Sequence, residues 1–379
     1  MPHSTLTTPH TPEIAIISAG ICGLLLAQGL QKNGFKVTVY EKEPSLETKF
    51  REWTMLIHWA LPVLKNMLPD ELLDQIHLAY PDLSYPFGTK KKESIPCSNG
   101  VTGGVVFEVS MAARRVSRAK FRRLLTKGLD IQWGKAILDL DCPDIGPVAV
   151  PFADGDTTKD DLVIGTDGMN SQVKKWLVGK EAARPLSSEH AIGNGIVRYE
   201  TAEQAKAVQG GNPLGSIKVH PDSFIFSALQ NVPDPQDPSN WFFHVVRIWK
   251  EPDIKSYEGD EAIAKVKSIT TDNQLRHWVT VPWDSRSGRV TLAGDAAHVM
   301  HPNRSQGRNQ ALNDVGILIN ELLRVKNGDI STQKAIQAYE KDLSVRGQKA
   351  VLESLEDTKH LTNLDDLEKS RHAAKGFRK

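Results

Sequence analysis

Gly20 and Gly23, in the run AIISAGICGLLLAQ at residues 15–28, are followed about 20 positions later by an acidic residue, Glu41. In a strand-turn-helix that grips a dinucleotide, the first glycine makes the tight turn and the second lets the backbone approach the pyrophosphate. The third lets helix and strand pack closely. Gly20 and Gly23 hold the second and third places, and Ser18 stands in the first. A phosphate at a helix N-terminus gains from unpaired N–H groups and the helix dipole, neither of which depends on Ser18. Glu41, at the end of a second strand, would accept hydrogen bonds from a ribose hydroxyl. Read alone, the same residues also suit an ordinary strand-helix-strand unit with a surface glutamate.

Two later stretches have the chemistry of a ligand edge. In DLVIGTDGMNSQVKKWL, residues 161–177, an apolar strand runs into Asp167-Gly168, and a helix opens under Asn170 and Ser171, both able to cap it. In GRVTLAGDAAHVMHPNRSQGRNQALNDVG, residues 288–316, a strand ends at Gly294-Asp295. A loop with Pro302 and Gly307 follows, and a helix begins near Gln306. A carboxylate such as Asp295 at a strand's C-terminal edge can accept from a ligand hydroxyl, and the helix start can offer backbone N–H groups.

These residues need a frame. EIAII (residues 13–17) suits a strand buried on both faces, the residues from about 22 to 33 suit a helix stopped by Gly34, and KVTVYE (36–41) suits a second parallel strand. MLIHWALPVLKNML (55–68) reads as helical despite Pro62, as does RRVSRAKFRRLLTKG (114–128); residues 81–104, rich in Pro, Gly, Ser and Lys, read as their connection. From about residue 185 to 281 the character changes. GNGIVRYE, SIKVH, SFIFSALQ and WFFHVVRIW are strand-like and separated by turns, as in a mostly antiparallel sheet. After Arg289 the first style returns, with helical patterns from about residue 306 and a basic, solvated tail from Lys369. The expected architecture is α/β: a Rossmann-like dinucleotide domain at residues 1–184 and 282–379, with C-terminal helices, and an inserted β-rich domain at residues 185–281.

The bulk numbers remove other classes. At 379 residues, with 40% hydrophobic and 25% charged residues and a net charge of +1, the chain has ample core and no electrostatic footprint for nucleic acid. Cys22, Cys97 and Cys142 are odd in number and match no metal spacing, so free thiols in a reducing, cytoplasmic setting are expected, with no metal site. Residues 14–31 carry no formal charge, yet their glycines and glutamines and the strand that follows favour a buried strand, turn and helix over a membrane span.

In this order, with SRAKFRRLL between the first two motifs, the chain resembles the class A FAD-dependent monooxygenases, the para-hydroxybenzoate hydroxylase-like family, from about residue 13 to 347. Segments such as REWTMLIHWALP and SVRGQKAVLES resemble fungal secondary-metabolite members. The resemblance implies a glutathione-reductase-type FAD domain with a substrate domain inserted. It implies that Gly20 and Gly23 meet the FAD pyrophosphate, with Ser18 in the same turn, that Glu41 meets the adenosine ribose, and that Asp295, after Gly294, meets the ribityl chain. Arg118 and Arg51 match arginines near the cofactor, Asp167-Gly168 serves both FAD and NAD(P)H, and Gly307 and Asn309 border the isoalloxazine ring.

The implied reaction uses NAD(P)H and O2, with FAD as cofactor, to hydroxylate or epoxidise an electron-rich aromatic, indolic or polyketide-type molecule through a flavin hydroperoxide. The substrate would lie between the β-rich insert and the flavin. Arg198 is the candidate to orient a phenolate or meet developing negative charge, and a solvated strand arginine is the plainer reading. His58 reads first as a packing residue and His298 as a structural one, while His301 is read as shaping the pocket, with a surface position as the plainer reading. Ser18, and Ser305 in a loop where the family carries a further glycine, depart from the pattern beside the cofactor. They leave open a non-redox cyclase or isomerase with weak or idle FAD, and behind it a binding protein on the same fold.

Overall fold

Strand β1 (Ile14–Ile17) lies at the centre of a parallel sheet, between β10 (Leu162–Gly165) and β2 (Val37–Glu41), with β16 (Val290–Leu292) beyond β10 and β7 (Ile131–Trp133) beyond β2. All four pairings are parallel. The computed structural model describes residues 11–48, 52–85, 93–212, 214–251, 274–371 and 373. All four residues of β1 are buried, as a strand covered on both faces requires. Helix α1 (Ile21–Lys32) follows, with residues 21 to 30 all buried. The uncharged run is therefore a core element. Among the described residues no helix is long and apolar enough to cross a membrane.

A second, seven-stranded sheet forms the other layer, in the order β15 (Gln274–His277), β11 (Leu186–Arg198), β14 (Phe242–Lys250), β13 (Ser223–Asn231), β12 (Ser216–Val219), β4 (Glu93–Asn99), β5 (Val105–Met111). Only the β12–β4 pairing is parallel. The mostly antiparallel character is as expected, but two of its strands come from residues 93–111, partly within the stretch read as a connection. Pro96 and the glycines at 100, 103 and 104 mask a hairpin whose buried residues, Ile95, Cys97 and Val109, alternate as a one-sided strand pair should. The strands β8 (Val148–Pro151) and β9 (Thr157–Asp160) form a separate hairpin.

Two helical readings are corrected. Residues 54–57 form strand β3 (Thr54–Ile57), antiparallel to β6 (Arg114–Ser117), and helices begin only afterwards, at α2 (Leu61–Met67) and α4 (Arg118–Leu125). Pro62 sits in the first turn of α2, where its missing N–H has no intrahelical partner to lose. Ser117 caps α4 by accepting from Lys120 N–H at 3.2 Å. The β3–β6 ribbon stands between the layers: Met55, Ile57 and Val116 pack in the core of the parallel sheet, while Leu56 and Ala113 pack with the β-rich sheet.

The shorter helices are α3 (Asp70–Asp74), α5 (Gln172–Val178) and α6 (Ala202–Gln209), the last closed by a capping box at Thr201 and Gln204. Helices α7 (Gln306–Lys326) and α8 (Thr332–Leu361) complete the fold. Ile336, Tyr339 and Leu343 of α8 join the first core; Leu361, with Leu367 beyond it, joins the second. The basic tail beyond residue 373 lies outside the described residues.

Candidate functional site

The ends of β1, β10 and β16 converge on one edge. Gly20 is the N-cap of α1 and offers no side chain to its first N–H groups. A Cβ there would find no protein atom nearer than 3.7 Å, so no neighbour demands glycine at that point. Gly23 differs: its Cβ would collide with the Ser18 carbonyl and stand 2.5 Å from Thr166 Oγ1, which is the helix-on-strand contact expected of a third glycine. Thr166, at the end of β10, donates to Ile17 O at 2.8 Å and fixes the turn from below.

Ser18 stands in that turn at φ +95°, a region that costs a side chain about 1–3 kcal/mol. Its hydroxyl donates to Glu41 Oε2 at 3.2 Å, the oxygen that also accepts from Ala19 N–H at 2.7 Å. Glu41 is buried, with Arg122 3.8 Å from the same oxygen. Arg122 also donates to Ala19 O at 2.8 Å and to Leu46 O at 3.2 Å, so one guanidinium braces the turn and the strand end. Arg118, four residues earlier, lies over the Trp53 ring at 4.8 Å. Arg51 lies outside the described residues.

At the second motif, Asp167 Oδ2 accepts from Gln172 N–H at 2.7 Å and Ser171 Oγ from Lys174 N–H at 2.9 Å, so both cap α5. Burial raises the Asp167 carboxyl above its usual range. Gly168 takes φ +78°, which lets the chain turn away. Lys174 is fully buried, donates to Met169 O at 3.0 Å and lies 4.3 Å over Trp278. Burial lowers it to about 8.

At the third motif, Asp295 is the one exposed residue in the buried run 290–299. Gly294, at φ +64°, rests on α1: a Cβ would lie 2.9 Å from Cys22 Sγ. A Cβ on Gly307 would come within 3.9 Å of Asp295 Oδ1, so the first turns of α1 and α7 flank this carboxylate. Ser305, the N-cap of α7, takes φ +53° and makes no side-chain cap. Asn309 is fully engaged with protein. It donates to Leu56 O at 3.1 Å and Ser305 O at 2.9 Å, and accepts from His58 N–H at 3.0 Å, tying α7 to β3.

A family model described as an FAD binding domain matches residues 251–354, and one described as an NAD(P)-binding Rossmann-like domain matches residues 16–53. The FAD-dependent monooxygenase phnB of Penicillium herquei is 32% identical, across 98% of this chain and 96% of its own. The chain belongs to the FAD-dependent monooxygenases. The monooxygenase cctM of Talaromyces islandicus is similar too, at 31% identity over 94% and 95% of the two chains. Among solved structures, 2,6-dihydroxypyridine-3-hydroxylase from Arthrobacter nicotinovorans has the same fold, with a TM-score of 0.72 at 18% identity over 94% of each chain. So does HpxO of Klebsiella pneumoniae with FAD and uric acid, at a TM-score of 0.68 and 19% identity over 97% and 93%.

The monooxygenase's edge fits FAD. Gly20 leaves open the space that a side chain would fill, two helix starts lack side-chain caps, and Asp295 is turned out between them. Several residues around this edge carry no motif of their own. Asp314 on α7 is fully buried; its Oδ2 accepts from Gly294 N–H at 2.9 Å and meets His298 Nε2 at 2.7 Å, and its Oδ1 pairs with Arg346 at 2.8 Å. The pair raises His298 and lowers Asp314, although burial opposes both charges. His298 is thus held in a buried pair with Asp314.

His301 donates or accepts through Nδ1 at Thr358 Oγ1, 2.7 Å away, and burial lowers it to about 3. On the β-rich side, buried Arg115, Thr54 and His244 and half-buried Asn194 form a file between β6, β3, β14 and β11. Reading β6 as a strand would have put Arg115 opposite Val116, on the face of Ala113. The candidate Arg198 lies at the open end of β11, exposed, on the register face of His244.

Proposed function

We propose that the monooxygenase hydroxylates or epoxidises an electron-rich aromatic, indolic or polyketide-type small molecule held between the β-rich sheet and the flavin, with NAD(P)H as reductant. The observation that carries the reading is Asp295, exposed in a buried run between the starts of α1 and α7. Two relatives support the substrate class. One is named a 3-amino-4-hydroxybenzoate 2-monooxygenase, at 27% identity, and the fold neighbour above is a hydroxypyridine hydroxylase; both names specify a hydroxylated ring.

Bound FAD would supply hydride acceptance from NAD(P)H and activation of O2. The chain's own groups bind and orient. Gly20 with the first turn of α1 would receive the pyrophosphate, Glu41 the ribose, and Asp295 the ribityl hydroxyls. Gly307 would let the start of α7 approach the ring. Arg118 would lie alongside the cofactor, and Asn309 would act at one remove, by holding α7 against β3. Asp167-Gly168 would shape the turn beneath, and Arg198 would meet negative charge at the open end of the sheet. On this reading the cofactor layer comprises residues 1–184 and 282–379 and the substrate layer residues 185–281, joined by the hairpin at 93–111. The three free cysteines support a reducing, cytoplasmic setting.

Purified protein should be yellow, oxidise NAD(P)H faster with an aromatic ligand, and transfer one atom of isotope-labelled O2 to it. Asp295→Ala should weaken flavin affinity by about ten-fold, or roughly 1.4 kcal/mol, with an unchanged circular dichroism spectrum. A colourless protein that takes up no added FAD would overturn the reading.

A further inference from the structure

Arg115 is a buried cation without an anion. It is 2% exposed, one Nη donates to Thr54 Oγ1 at 2.8 Å, and its guanidinium lies 4.9 Å over the Phe226 ring. Its Nε is buried and meets no hydrogen-bond partner among the described residues, and no described carboxylate pairs with it. Two other buried charges near the site are matched, Asp314 by Arg346 and Glu41 by Arg122.

The groups that do touch Arg115 are neutral. Thr54 Oγ1 accepts from Arg115, so its own proton is free for His244 Nδ1 at 3.1 Å, towards which Thr54 N–H also points at 3.4 Å. His244 Nε2 then donates to Asn194 Oδ1 at 2.8 Å. Burial and the charge of Arg115 lower His244 to about 3, so the imidazole is uncharged at neutral pH. Burial alone lowers Arg115 to about 9. A charged guanidinium taken out of water is unfavourable unless something negative meets it. The β3–β6 ribbon holds this one towards the β-rich sheet, where Leu56 and Ala113 of the same face pack.

We infer that Arg115 is the counter-charge for an anionic oxygen on the substrate, a carboxylate or an ionised phenol, brought to the face of the β3–β6 ribbon that Arg115 shares with Thr54. The assignment rests on the proposed position of the substrate between the sheet and the flavin. Guanidinium suits it because two parallel N–H groups can meet such an oxygen group. The file Thr54–His244–Asn194 orients the guanidinium, and Thr54 and His244 act as positioning residues. An ionised phenol held there would keep its ring electron-rich.

Two probe pairs test this by ligand-induced shifts in thermal unfolding, a readout that needs no turnover. They are 2,4-dihydroxybenzoate against 2,4-dihydroxybenzamide, and 4-cyanophenol against 4-cyanoanisole. Wild type should prefer the acidic member of at least one pair by about ten-fold or more, and the pair that shows it identifies carboxylate or phenol as the group. Arg115→Gln should abolish the preference while the neutral probes bind as before, and Arg115→Lys should keep part of it. No preference in the wild type for either pair overturns the inference, whatever the variants do, and so does a preference that survives in Arg115→Gln. A protein that takes up FAD and oxygenates a ligand yet shows no preference loses this inference alone. One that takes up no FAD loses the proposed function instead.

Discussion

Ser18 shows how one side chain can hold a turn while working against it. At φ +95° it occupies backbone space that glycine enters freely, and its hydroxyl occupies part of the carboxylate proposed for the ribose. Replacing it removes a strain of about 1–3 kcal/mol but also one hydrogen bond of about 1 kcal/mol, and it loosens the unfolded chain by a further 0.5–1 kcal/mol or so. These terms nearly cancel. Ser18→Gly should therefore change unfolding in urea by less than about 1 kcal/mol, yet tighten FAD several-fold in a flavin fluorescence titration, because Glu41 Oε2 loses a competitor. An unchanged dissociation constant would show that the hydroxyl does not bear on the cofactor. Gly20 and Asp295 could be singled out from the chain because each requirement sits on one residue and its near neighbours. Arg122 and Asp314 could not: their partners, Ala19 and Arg346, are fixed only when distant elements meet.

At the scale of elements, the two strands read as helix are among the shortest pieces, while the hairpin at 93–111 is longer and is hidden by its proline and glycines. β3 and β6 have four residues each, too few to show a period of two against the helical runs that directly follow them. The βαβ start and the strands of the insert were legible because they are longer or fully apolar. Helix α8 illustrates a tie that composition hides. Its Glu340 Oε1 accepts from Trp283 Nε1 and Thr291 Oγ1, both at 2.8 Å, which joins the helix to β16. Burial raises this carboxyl from 4.5 to about 7. The folded state therefore binds the proton more tightly than the unfolded chain. The stabilisation is complete below pH 4.5 and disappears as pH rises through about 7. Glu340→Gln keeps the accepting oxygen and removes the titration. Measured against it in urea unfolding, wild type should lose up to about 3 kcal/mol between pH 4.5 and 8. A difference that stays constant with pH would rule this out.

The whole molecule is held by a helix that belongs to both layers. Leu361 is fully buried in the core of the β-rich sheet, while Tyr339 of the same helix is fully buried against the parallel one and donates to Leu292 O at 2.8 Å. Leu361→Ala should cost about 2–4 kcal/mol, and tryptophan fluorescence and flavin release should still report one shared transition. Two separated transitions would mean that the layers are held independently. A 30-residue helix is a rod of about 45 Å, and it crosses from one layer to the other without a break. Such a rod resists any opening of the two layers like a book. If the substrate binds between the layers as proposed, its traffic relies on small local displacements at the rim, so exchange should be fast and insensitive to solvent viscosity on the scale of large domain motions.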